Sequence, residues 1–441
     1  MKRDLHDLGR HVAKLGSRGA SRRAVLRAGV AGGATATAAS LTGSRHGQRS
    51  ARAQDAVTIS YGYWDVTQEA AVEAQIAAFQ EANPNITVSA QVTPWADYWT
   101  KLQTGVAGGE SWDVFWLNTA NLPVFASQDG LVNLQPLVDD GSIEVDAFPA
   151  SLIEAYSYEG SLYAASRDVD TIGLYYNSEL FDTAGIDYPN DEWTWEDLRS
   201  AAEALTIGSG DSAEQWGFAV TTSFYESLTG FILQNEGRYW NDELTESQLA
   251  EPAAAEAINY LSSFIDDGLS PSTDVQLTNN PFETLFPAGR VAMITGGSWR
   301  PKPLYEANPA INVALLPIGK IRAAPTHGLG HAVWSGSQHP EEASQFVVFL
   351  TSAEGEQILA DSGATLPSRE GMAETWLSTV PEVDLEVFIE TVTEYAVAIP
   401  NGPDGSEWSS AIVETLTTAW GSGGSTEDLP QQLADAANAT L

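Results

Sequence analysis

VTISYGYWDVTQEAAVEAQIAAFQEANPNITVSAQVTP, residues 57–94, decides the fold. Its first residues alternate and are rich in β-branched side chains, which predicts a strand ending near Trp64. QEAAVEAQIAAFQEANP then places Val72, Ile76 and Phe79 at helical spacing, and Asn83-Pro84 closes the helix. ITVSAQVTP (86–94) returns to a strand. A strand, a helix and a strand in this order form a β-α-β unit, so an α/β sheet with both faces covered is expected.

The same alternation continues outward. DYWTKLQTGVAGG reads as a helix closed by glycines, and SWDVFWLN as the next strand. WTWEDLRSAAEALT is a helix opened by Thr194 and Asp197, an acidic variant of the capping box. Further strands are expected in EQWGFAV, RVAMITGG, INVALLPIG and HGLGHAVW, with helices in PAAAEAINYLSSFIDDG, in HPEEASQFVVFLTSAEGEQILADSG and on either side of the GSGGS turn at 421–425. In open α/β sheets ligands sit beyond the carboxyl ends of the strands. Trp64, Asp65, Trp116 and Asn118 fall there. Each has a plainer alternative: Trp116 as core, Asn118 as a helix N-cap.

At 441 residues the chain is longer than a single core usually supports, so two lobes are expected. It has no cysteine, which excludes disulfides, thiolate metal sites and a lipidated cysteine anchor. SRRAVLR (21–27), a weakly apolar run and A-x-A spacing at Ala51 and Ala53 resemble a twin-arginine export signal spanning 1–53. That segment holds eleven of the 21 basic residues and two of the 59 acidic ones, so the remainder carries a formal charge near −47. Such a field repels nucleic acid and anionic membranes. It also suggests a saline or acidic exterior, where ions or protons quiet self-repulsion.

The order of FQEANPNITV, KLQTGVAGGESWDVFWLN, GLYYNSELFDTAGID with WTWEDL, AGRVAMITGGSW, LPIGK with GLGHAV, HPEEASQFVVFLTSAEG and LPSR resembles the extracellular solute-binding proteins that serve sugar-importing ABC transporters, the maltose-binding type. The likeness runs over nearly all of 57–441. It implies two α/β lobes joined by three crossing segments, near Arg167 to Asp170, Leu315 to Ile318 and Ser362 to Pro367. One lobe would comprise 54–168 and 318–361, the other 170–316 and 364–441, closing by a hinge motion on ligand held between them.

The resemblance also implies the site. A sugar ring needs flat apolar platforms together with polar groups at its rim. Trp116 and Trp299 match platform tryptophans on opposite lobes, flanking the ligand. Trp408 and Tyr225 occupy further aromatic positions on the second lobe, and the glycines before Trp299, Gly297 among them, permit close backbone approach. Trp64 and Asp65 follow the first strand. Asn118 joins the polar contacts, and Asp168 and Asp170 lie on the first crossing, where one of them could instead pair with Arg167. His331, at the end of a glycine-rich loop, borders the cleft. No cofactor is expected, and the partners are a carbohydrate and the membrane permease, with the protein itself monomeric and exported to the periplasm or cell surface.

His327 and His331 are four apart, but the glycines between them argue against a helical metal pair, and no HExxH accompanies them. No GxSxG elbow, P-loop or dinucleotide fingerprint occurs. Two carboxylates could serve a glycosidase, yet their separation is invisible in sequence. Tyr175-Tyr176 matches paired tyrosines that hold ferric ion in iron-binding relatives, and the acidic surface would suit a polyamine. The expectation is a carbohydrate-binding receptor and not an enzyme.

Overall fold

Strand β1 (Val57–Tyr63) lies parallel to β2 (Ile86–Val92) in register from Val57 against Ile86 to Tyr63 against Val92. The helix between them, Glu69–Ala82, buries Ala71, Val72, Gln75, Ile76 and Phe79 on one face. The β-α-β reading of 57–94 thus holds, in a computed structural model that describes residues 56–399, 402 and 407–441. The export signal expected at 1–53 lies outside the described residues.

Strand β3 (Val114–Asn118) pairs parallel with β1 on its other edge. After a small hairpin of β4 (Ser157–Tyr158) and β5 (Ser161–Leu162), β6 (Ala164–Ser166) closes the first contribution to this sheet. The chain then enters β7 (Asp170–Asn177), and β8 (Trp216–Ala219), β9 (Val291–Gly297), β10 (Ile311–Ala314) and β11 (Ala324–His327) follow in a second sheet. β12 (Leu329–Val333) returns to the first sheet, and β13 (Ala396–Ala398) completes the second. The orders are β2-β1-β3-β12-β6 and β13-β11-β7-β9-β8, with β10 also on β7.

Every residue of β7 is buried, and its alternate side chains enter different cores. Leu174 and Tyr176 pack with Phe218 and Leu261, whereas Tyr175 packs with Trp216, Ile294 and Trp376 on the opposite face. That is the signature of a strand covered on both sides. The first lobe has its own core around Ile59, Tyr61, Phe115 and Phe346. Thr194 and Asp197 form the expected reciprocal cap, Thr194 donating its backbone N–H to Asp197 Oδ2 at 2.8 Å.

Three segments join the sheets. Residues 167–169 run beside 366–368, with Val169 N–H donating to Leu366 O at 3.0 Å and Ser368 N–H to Arg167 O at 3.2 Å. The remaining crossing differs from expectation. Residues past Ile318 stay with the second sheet, because β11 pairs with β7 and β13, and the chain changes sheets at Gly328. A Cβ there would stand 2.4 Å from the Asp168 carbonyl, so glycine is what lets two crossings touch.

Candidate functional site

β9 runs out at Gly297, and the Trp299 ring folds back over it. A Cβ on Gly297 would lie 2.1 Å from that ring, so the indole rests on bare backbone. Trp299 stays partly exposed and stacks near-parallel to Tyr225, with centroids 6.0 Å apart and planes 9° apart. His327, at the end of β11, lies 4.2 Å from the Tyr225 ring. Tyr225 is delivered by a wide helical turn, Phe224–Leu228, whose first turn is capped by Ser223 Oγ accepting from Glu226 N–H at 3.1 Å. Glu226 in turn takes two bonds from Arg300, at 2.6 and 2.9 Å, and Arg300 lies 3.4 Å from the Phe282 ring. A recess of about 220 Å³ opens beside this pair, lined among others by Thr221, Ser223, Gln276 and Phe282. A larger hollow of about 440 Å³, bounded by Asp187, Trp193 and Asp197, is lined by none of these site residues.

The carboxylates of the first crossing lie next to this cluster, with Asp170 reaching toward His327 and Ser298. Asp170 Oδ1 accepts from Ser298 Oγ and Thr365 Oγ1, each at 3.0 Å, and Oδ2 faces His327 Nδ1 at 3.9 Å. Burial pushes its carboxyl up to about 6, against those hydroxyl bonds and Arg167. Asp168 accepts from Leu329 N–H at 2.7 Å and pairs with Arg167. Burial and the nearby Asp170 raise Asp168 to about 7, opposed by Arg167. His327 moves the other way, pushed down to about 4 by burial. Trp299, Tyr225, Gly297, Asp168 and Asp170 are therefore brought together, and His327 joins them.

The first lobe is arranged differently. Trp116 is completely buried, which corrects its expected role as a platform. The Arg167 guanidinium covers its ring at 4.3 Å, Trp64 abuts it edge-on at 5.1 Å, and Nε1 donates to Tyr61 Oη at 2.5 Å. His331 is corrected for a related reason. It pairs with Trp116 across β3 and β12, so its ring points to the same sheet face and reaches Tyr61 Oη at 3.1 Å, inside the lobe. Asn118 holds a turn, its Oδ1 accepting from Asn121 N–H at 3.0 Å.

Trp64 remains partly exposed, edge-on to Trp95 at 5.1 Å and to Tyr98 at 4.9 Å. Asp65 caps the following turn, Oδ1 accepting from Thr67 N–H at 2.9 Å, and its charge is felt at Asp170 and Arg300 on the other side of the seam.

Trp408 offers no face either. It is 2% exposed, ringed by Phe224, Tyr239 and Trp240, with Gly402 backbone against the indole, so it belongs to the second-lobe core. The paired-tyrosine reading loses its geometry, since Tyr175 and Tyr176 point to opposite faces of β7 and Tyr175 Oη donates to the Gly297 carbonyl at 2.8 Å. Among the described residues no three of His, Asp and Glu converge as metal ligands would. Nor is any helix among them long and apolar enough to cross a membrane.

Two α/β sheets joined by three crossing segments, with buried carboxylates on the first crossing and a cluster of aromatic rings beside them, define a two-lobed binding-protein fold. The chain belongs to the bacterial extracellular solute-binding protein family, whose pattern matches residues 63–357. This is a family of non-catalytic binding proteins. A binding protein of Brucella abortus is 26% identical over 359 residues, covering 77% of this chain and 82% of the relative. The galactooligosaccharide-binding protein of Bacillus subtilis is 22% identical over 356 residues, covering 78% and 81%. Among solved structures, an ABC substrate-binding protein of Listeria monocytogenes in complex with cycloalternan superposes with a TM-score of 0.78 at 26% identity, covering 88% of this chain and 99% of that one.

Proposed function

We propose that this protein binds a neutral carbohydrate, an oligosaccharide or glycoside, at the seam between its two lobes and delivers it to the permease of an ABC importer. The observation that carries the reading is the partly exposed Trp299 ring, stacked with Tyr225, whose hydroxyl feels the charges of Asp170 and Asp168, and next in sequence to Ser298, which bonds Asp170. An indole face beside acceptors fixed by hydroxyls and backbone suits a molecule with C–H faces and a hydroxylated rim. The sugar ligands named for the Bacillus and Listeria relatives support the same class. Export by the twin-arginine route to the periplasm or cell surface, a monomeric state and hinge closure of the two lobes belong to this proposal.

Thermal-shift screening of maltotriose, raffinose, cellotriose and arabinotriose against spermidine and ferric ion tests it. At a hundred times the dissociation constant a binder adds about 2.7 kcal/mol. Stabilisation by a sugar is the expected result, and stabilisation by spermidine or iron alone would overturn it.

A further inference from the structure

Polar atoms beside the Trp299 ring are buried without a protein partner. Tyr225 Oη and His327 Nδ1 have none among the described residues, although Tyr225 is only 7% exposed and the His327 side chain 16%. The 3.9 Å between His327 Nδ1 and Asp170 Oδ2 is too long for a hydrogen bond. Each buried polar group left unpaired costs about 1–3 kcal/mol, and folded proteins pair nearly all of them. A cluster of such atoms beside a partly exposed ring marks where a ligand supplies the missing partners.

The geometry points to His327 as a ligand-contacting, specificity-determining residue. Resting on the carbohydrate reading above, His327 Nδ1 and Asp170 Oδ2 each accept from one of two adjacent hydroxyls, while Tyr225 Oη bonds a third oxygen and Trp299 covers the sugar's C–H face. Two acceptors held a short distance apart, with no donor between them, select a ring with neighbouring free hydroxyls over one where either is blocked or missing. Burial supports this, because it keeps the imidazole uncharged at neutral pH and so leaves Nδ1 a lone pair when the ring proton sits on Nε2. The four-residue spacing to His331 has no part in it: His331 bonds Tyr61 inside the first lobe.

The test titrates wild type, His327→Phe and His327→Asn with maltotriose, raffinose, cellotriose and arabinotriose, following tryptophan fluorescence. Phe keeps an aromatic ring beside Tyr225 but removes the acceptor, and Asn can place Oδ1 near the position of Nδ1. For whichever sugar binds wild type, His327→Phe should weaken binding about tenfold or more, and His327→Asn about threefold or less, with melting temperatures close to wild type. Equal binding by His327→Phe overturns the role of His327 while the carbohydrate reading stands. Equal loss in both variants with a lowered melting temperature assigns His327 to structure instead. If none of the four sugars binds wild type, the carbohydrate reading fails and this inference falls with it. Nitrogen-15 NMR of the free protein adds an arm that needs no sugar: a proton on Nδ1 at pH 7 contradicts the inference, and one on Nε2 supports it.

Discussion

Trp116 and Trp299 occupy different places in the two lobes, one at the middle of β3 and the other just past the end of β9, and only Trp299 stays partly exposed. What lies against each ring makes the difference. Trp116 receives the Arg167 guanidinium from the first crossing, a contact that satisfies a buried cation with an aromatic face. Trp299 lies on glycine backbone at the edge of the second-lobe core, with the Arg300 guanidinium farther off at 5.7 Å, and stays partly exposed. A tryptophan within a strand is thus covered from both neighbouring elements, whereas one just past a strand's carboxyl end keeps part of its surface at the seam.

The largest effect that could break this comparison is on stability. Trp116→Ala should cost roughly 3–5 kcal/mol in denaturant unfolding, because it empties a fully packed site, while sugar affinity per folded molecule changes little. A variant that folds normally but no longer binds would reverse the roles of the two rings. Trp299→Ala should do the opposite, weakening binding about a hundredfold and lowering stability by about 1 kcal/mol, as loss of one aromatic contact predicts. Calorimetric titration beside melting curves separates the two quantities.

Gly297→Ala asks whether the glycine seat matters. The added methyl would meet the indole at 2.1 Å and displace it, so binding should fall about tenfold with Trp299 still present. Unchanged affinity would mean that the ring's position on the backbone is incidental.

The carboxylates of the first crossing give a pH signature. Asp170 has a folded value raised to about 6, above its unfolded value, so its contribution to stability is full at acid pH and is lost as pH rises through 6. His327, lowered to about 4, contributes fully above 6.5 and loses that contribution as pH falls toward 4. Asp170→Asn removes only the first of these. Relative to wild type it should gain on the order of 1–3 kcal/mol between pH 5 and pH 8. A difference that stays flat across that range would show that burial does not raise the Asp170 carboxyl.

The smallest effect belongs to Trp64. Its partly exposed ring lies against the more exposed Trp95 on the first lobe, and Trp64→Ala should weaken sugar binding by about threefold to tenfold, read in the same titration. A loss larger than that of Trp299→Ala would shift the main platform to the first lobe.

Much of the architecture was legible because it is local. The β-α-β unit at 57–94, the Thr194–Asp197 cap and the helix pair closed by αL Gly363 follow from spacing, capping side chains and backbone preference within a few residues. The glycines of GGSW permit close backbone approach, but that the Trp299 ring itself folds back onto Gly297 is a choice of side-chain direction that spacing does not show. The burial of Trp116 was not legible either, because its cover comes from Arg167, fifty-one positions later, and sequence adjacency carries no sign of it. His331 and Trp408 failed likewise: a strand register and a ring of distant aromatics decide their burial. The sheet change at Gly328 depends on β11 pairing with β7 and β13, partners far away in the chain. His327 stands out in the sequence only for its four-residue spacing to His331, which carries no sign that it stands beside Tyr225 and Asp170.

Fluorine NMR of protein labelled with 5-fluorotryptophan, titrated with the sugar that stabilises it most among maltotriose, raffinose, cellotriose and arabinotriose, tests the central claim most directly. With resonances assigned through Trp299→Phe and Trp116→Phe, the Trp299 signal should move with saturation while the Trp116 signal stays within its linewidth. Movement of Trp116 with Trp299 unchanged would contradict the account.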